Sequence, residues 1–151
     1  MIREQIKSKL IEAMKSKDEK TTATLRLINA AIKDKDIDAR SKGNMDGIDD
    51  AGVMSLLQTM IKQRRESISM YEKGGRADLV ASEQGEIDII QSFLPKQMSD
   101  DEAKAAIQTI IAEVGATSIK DMGKVMGAIK AKYAGQMDMG KASGLIKAAL
   151  G

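Results

Sequence analysis

The stretch KQRRESISMYEKGGRADLVASEQGEIDIIQSFLP, residues 62–95, decides the fold. Its apolar residues recur at helical spacing on both sides of Gly74-Gly75, with no strand-like alternation. Gly74 suits a helix stop. Pro95, the only proline, disfavours helical geometry at Leu94 and removes a backbone donor. Two helices joined by a tight turn are expected, running antiparallel as neighbours, with the second stopping at Leu94-Pro95.

Both helices carry ions where an amphipathic helix should be apolar. At about 100° per residue from Val53, the side chains of Leu57, Met60, Arg64, Ile68 and Tyr71 fall within about 80° of one another. Arg64 sits in the middle of that stripe. On the following helix Leu79, Glu83, Glu86, Ile90 and Leu94 share one face. One expectation is a partly buried pair, Arg64 with Glu83 or Glu86, which fixes register and adds little net stability. The alternative is a carboxylate pair beside an arginine, suited to acid–base work or a metal. No nucleophile or third ligand set accompanies it, so no catalytic or metal residue is assigned. Lys62, Arg65 and Arg76 lie off the stripe, on what should be a solvated face.

Working outward, Ile2, Ile6, Leu10 and Met14 mark a first helix, and Leu25, Ile28, Ala31 and Ile32 a second. Arg40–Gly52, with three glycines and Asn44, should be a loop. Asp49 or Asp50 can cap the third helix. Beyond Pro95, Ser99 with Glu102 is a capping box opening a fifth helix: Ile107, Ile110, Ile111 and Val114, stopped by Gly115. Ser118 with Asp121 begins a sixth, with Met122, Val125, Met126, Ile129 and Tyr133. Asp138 caps a seventh, with Ala142, Leu145, Ile146 and Ala149. The expected fold is all-α: a helical domain of about four helices over 1–95 and a three-helix tail over 96–151. The tail is a small core, whose stability docking on the first domain would help.

Composition narrows the chemistry. The 151 residues contain no Cys and no His, which removes disulfides, Cys/His zinc sites, the usual general base and the usual thiol nucleophile. Only Phe93, Tyr71 and Tyr133 are aromatic, and eleven methionines should fill the core instead. Net charge is +2, with 16 basic and 16 acidic residues in 1–95 but 8 and 6 in 96–151. That balance permits nucleic-acid binding without demanding it. Met1-Ile2-Arg3-Glu4 runs straight into a polar helix, and no apolar run reaches about 18 residues. Neither a signal peptide nor a membrane span is expected, and the cytoplasm follows by default.

The tail carries glycines on the outside of its helices. Gly123 and Gly127 lie away from the apolar side, beside Lys120 and Lys124. Gly140 and Gly144 point almost opposite Ala142 and Leu145, near Lys141 and Lys147. An interior helical glycine costs about 1 kcal/mol relative to alanine, so close approach of another backbone is the expected return. That backbone is either the first domain or an anionic partner such as a sugar-phosphate chain. The Gly-Lys run is no Walker loop, because the Gly-Lys-Ser/Thr ending is absent.

Thr24–Lys33, the 62–95 stretch, Lys120–Gly127 and Gly135–Ser143, in that order, resemble the YqeY family over nearly the whole chain. The resemblance implies an all-α fold with a three-helix tail. That tail is similar to the C-terminal region of the B subunit of tRNA-dependent amidotransferases, a region associated with tRNA recognition. Family members usually carry Gly-Arg-Ala-Asp where this chain has Gly135-Gln136-Met137-Asp138, which removes one cation from that loop.

Three functions follow. The first is a stand-alone accessory module binding tRNA or other RNA through Lys120, Lys124, Lys141 and Lys147, with Gly123 and Gly127 permitting close approach. With so few aromatics, readout would be of backbone and shape. The second, implied by the resemblance, is carbon–nitrogen ligation with glutamine as amide donor, within an amidotransferase-type complex. The chain alone lacks the residues for that chemistry, so it should be catalytically silent and need no cofactor. The third is an adaptor for amidotransferase or translation-related proteins, docking helices on the same small-residue strips.

Overall fold

The computed structural model describes residues 2–151, which form seven α-helices and no strand. The helices are α1 (Ile2–Lys15), α2 (Glu19–Ser41), α3 (Asp50–Lys73), α4 (Ala77–Gln91), α5 (Asp100–Val114), α6 (Met122–Tyr133) and α7 (Met139–Leu150). They divide into two compact units that meet in sequence at Leu94-Pro95.

In the first unit, Ile6, Leu25, Ile28, Val53, Leu57, Ile87 and Ile90 are fully buried in one core shared by α1–α4. Residues four apart drift about 40° around a helix. By Met14 that drift carries the stripe of α1 into solvent, where Met14 is 45 % exposed and Ala13 takes the inward position. The methionines divide likewise: Met60 and Met137 are buried, whereas Met45 and Met70 are exposed. Core filling explains the first two and not the others.

The expected loop is shorter than 40–52, because α2 runs through Ser41 and α3 begins at Asp50. The link is held from beneath. Arg3 donates to both oxygens of the buried Asp36 (2.7 and 2.6 Å) and to the Ile48 carbonyl (2.7 Å), and Asp36 also accepts the Ile48 N–H (2.9 Å). Gly47 crosses directly over Asp36 at φ +81°, where a Cβ would collide with the carboxylate. Asp49 then caps α3 by accepting the Gly52 N–H at 2.8 Å. The turn after α3 places Gly75, not Gly74, in the left-handed region (φ 70°). Helix α4 ends at Gln91, a turn short of Pro95.

The second unit has its own core of Ala103, Ala106, Ile107, Ile110, Val125, Ile129, Met137, Ala142 and Ile146. The Ser99–Glu102 capping box opens α5, and Gly115 (φ 67°) closes it. A 3-10 turn, Ile119–Asp121, precedes α6. Asp121 accepts the Thr117 and Ser118 N–H groups, which holds its carboxyl below the usual range. Asp138 caps α7 at the Gly140 N–H (2.9 Å). Ala149, assigned above to the buried stripe, is exposed.

Candidate nucleic-acid interface

Arg64 and Glu86 meet across α3 and α4. Arg64 Nε donates to Glu86 Oε2 at 2.8 Å, and its Nη1 donates to the Met60 carbonyl at 3.2 Å. The two side chains are 15 % and 24 % exposed. Glu83 is half-buried on the same helix but is not bonded to Arg64. The ions therefore do not converge as an arginine with two carboxylates, and among the described residues no group of three or more acidic side chains is placed to hold a metal. A salt bridge between neighbouring helices is what this geometry provides.

The tail residues lie elsewhere. Buried Val125 and Ile129 aim α6 into the second core. Gly123, Lys124, Gly127, Lys130 and Ala131 lie roughly 120–180° away from that direction, and all five are exposed. A Cβ built on Gly123, Gly127 or Gly144 meets no atom of its own unit within 4 Å. Lys120 is exposed on the 3-10 turn before α6. On α7, Ala142 and Ile146 face inward while Gly140, Lys141, Gly144 and Lys147 face out. Lys141 is not free: its Nζ lies 3.0 Å from Asp100 on α5. Both groups are well exposed, so this pair is weak and salt-sensitive.

Residues 122–151 contain five lysines and one acid, Asp138, which is occupied as a helix cap. The other acids of this unit lie before Met122. Lys130 was not among the sequence candidates, yet it shares the exposed side of α6. The link between α6 and α7 is pinned: Gln97 Nε2 donates to the Gly135 carbonyl, and the Met98 N–H donates to the Gln136 carbonyl at 2.8 Å. Gly135 is buried there at φ 76°.

Two helical units, the second bearing an exposed face of lysine and glycine, define an all-α protein. The chain belongs to the YqeY-like family: the family model described as Yqey-like protein matches residues 3–150. It is similar to "Altered inheritance of mitochondria protein 41, mitochondrial" of Eremothecium gossypii, 38% identical over 89 residues, covering 59% of this chain and 46% of the relative. The protein of the same name from Lachancea thermotolerans is 33% identical over 111 residues, covering 72% and 57%. The chain thus spans about half the length of the curated relatives it matches.

Those names overturn the cytoplasmic expectation, because the relatives are named as mitochondrial proteins. That expectation rested only on seeing no leader or span, which is no compartment signal. No helix among the described residues is long and apolar enough to cross a membrane.

Proposed function

We propose that this YqeY-like chain is an RNA-binding accessory module that docks folded RNA through α6 and α7 and has no catalysis of its own. The observation that carries this is the charge of residues 122–151, five lysines against one engaged carboxylate, on helices whose outward glycines leave the backbone open. Lysine supplies the sequence-independent attraction to phosphate, and glycine permits a close approach that any side chain would obstruct. The resemblance of this region to the amidotransferase B-subunit tail supports the same reading. A glutamine-dependent ligase activity has less support, since the chain has neither Cys nor His, and Arg64 occupies Glu86.

The test is titration of a labelled tRNA with the full chain at two salt concentrations. Binding that weakens linearly in log salt, and that falls in Lys120→Ala, Lys124→Ala and Lys147→Ala, is the expected result. No binding at low salt, or binding indifferent to those lysines, rejects the RNA-docking face and leaves the adaptor role.

A further inference from the structure

Helices α6 and α7 are two copies of one surface. Residues 121–131 read DMGKVMGAIKA and residues 138–148 read DMGKASGLIKA, identical at eight of eleven positions with an offset of 17. The copies are in structural register, since Asp121 and Asp138 occupy the N-cap of their helices and Ile129 and Ile146 are both buried.

Packing accounts for the buried match of Ile129 with Ile146 and the half-buried match of Met122 with Met139, but five of the eight identities are exposed in both copies. Within the repeat, the five exposed positions of α6, Gly123, Lys124, Gly127, Lys130 and Ala131, are each matched by the same residue at an exposed position of α7, Gly140, Lys141, Gly144, Lys147 and Ala148; just beyond the repeat, exposed Lys132 and Ala149 differ. The three mismatches are all buried or half-buried: Val125 with Ala142, Met126 with Ser143, and Ala128 with Leu145. A duplication kept for folding would match inside and vary outside. Exposed glycines also oppose helix formation, so the matched faces do not serve the helices that carry them.

From this we infer that α6 and α7 are two equivalent half-sites, each gripping one stretch of the sugar-phosphate backbone of a double-helical RNA. This rests on the RNA-binding reading above and names the class of RNA and the way it is held. Equal faces suit a ligand that presents the same anionic unit twice, as a phosphate backbone does. The faces hold no aromatic residue on which a base could stack. Tyr133, the aromatic residue of this unit, is half-buried with the Lys132 ammonium 5.7 Å from its ring centroid. Single-stranded RNA is usually held by stacking, whereas double-helical RNA is held by shape and backbone contacts. An anionic membrane fits less well, because glycine, alanine and lysine offer no bulky apolar group to insert. The half-sites differ in one respect: Lys141 is shared with Asp100, while among the described residues no ion pair occupies Lys124, Lys130 or Lys147.

The full chain is titrated with a fluorescent RNA hairpin, with a single strand of equal length that cannot pair, and with phosphatidylcholine vesicles containing phosphatidylserine. The hairpin should bind about tenfold more tightly than the single strand. Lys124→Ala/Lys130→Ala and Lys141→Ala/Lys147→Ala, checked for retained helicity, should each leave weakened binding, with the salt slope reduced by about 2 and about 2 again when combined. Asp100→Asn, which frees Lys141, should tighten binding about threefold. A single strand bound as tightly as the hairpin, a loss confined to one helix, or preference for vesicles would each overturn the half-sites. The first two outcomes leave RNA binding itself standing; absence of binding to either RNA removes the reading beneath both.

Discussion

Arg64 Nε on α3 donates to Glu86 Oε2 on α4 at 2.8 Å, a salt bridge set within the apolar face that joins the two helices. Removing one partner strands the other beside the core. Arg64→Ala should destabilise the first unit by about 2–3 kcal/mol, somewhat below a fully buried pair because Glu86 keeps partial solvent access. Glu83→Ala should cost under about 1 kcal/mol. Replacing both ions, Arg64→Met with Glu86→Leu, should recover most of the loss. Chemical denaturation followed by circular dichroism measures all three, and equal midpoints for wild type and Arg64→Ala would sink the pairing.

Asp36 gives the first unit an acid limb. The Arg3 guanidinium, with the Ile48 N–H, holds its carboxyl down to about 2, against 3.8 ordinarily. A lowered folded-state value stabilises the fold above the unfolded value and ceases to do so as pH falls through the folded one. Stability should therefore decline between about pH 4 and pH 2. Asp36→Asn should lower stability at neutral pH by about 1–2 kcal/mol, discounted because Arg3 is one-third exposed. It should also flatten the decline. An unchanged acid limb in that variant would refute the assignment.

Glycine-to-alanine changes should act in opposite directions in the two units. Gly47→Ala forces a side chain into φ +81° and into the Asp36 carboxylate, and should cost about 2–3 kcal/mol. Gly127→Ala enters open space on a helix and should stabilise by up to about 1 kcal/mol. On the proposed interface, Gly127→Leu should weaken RNA binding more than it perturbs folding. Melts and titrations on the same preparations separate the effects, and a folding defect in Gly127→Ala would contradict the open face.

Gln136→Arg restores the cation that YqeY-like chains usually carry between the sixth and seventh helices. Gln136 is half-buried, and its carbonyl already takes the Met98 N–H, so the change should leave the link in place. RNA affinity should rise about threefold with a salt slope steeper by about 1. Unaltered slope and affinity would place this link outside the interface.

The purified chain should neither hydrolyse glutamine nor transfer its amide nitrogen, because it has no Cys or His to serve as thiol or imidazole. Ammonia release that survives repurification and disappears in Glu83→Gln or Glu86→Gln would reverse this.

The helical spacing of apolar residues, Gly74-Gly75, Gly115 and the capping residues Asp49, Ser99 and Asp138 were all readable in the chain. Each acts within a turn or two of its own position, so periodicity and local hydrogen bonding suffice to read it. The family was legible for the same reason, since its motifs are contiguous. Met14 was misplaced because a strict four-residue spacing drifts around the helix, and Ala149 because spacing alone does not say where along α7 the packing ends. The matched faces of α6 and α7 were also written in the chain, but burial was needed to show that five of the eight identities are exposed in both copies and that all three mismatches are not.

The sequence by itself determined an all-α chain, its helix starts and stops and its YqeY-like membership, since these depend on neighbours a few residues apart. Tertiary structure alone decided that Arg64 takes Glu86 rather than Glu83, that Arg3 and Asp36 grip the link at Gly47 and Ile48, and that Lys141 is shared with Asp100. Each of those joins residues many positions apart in the sequence, and only the packing of one helix on another brings their side chains within hydrogen-bonding reach.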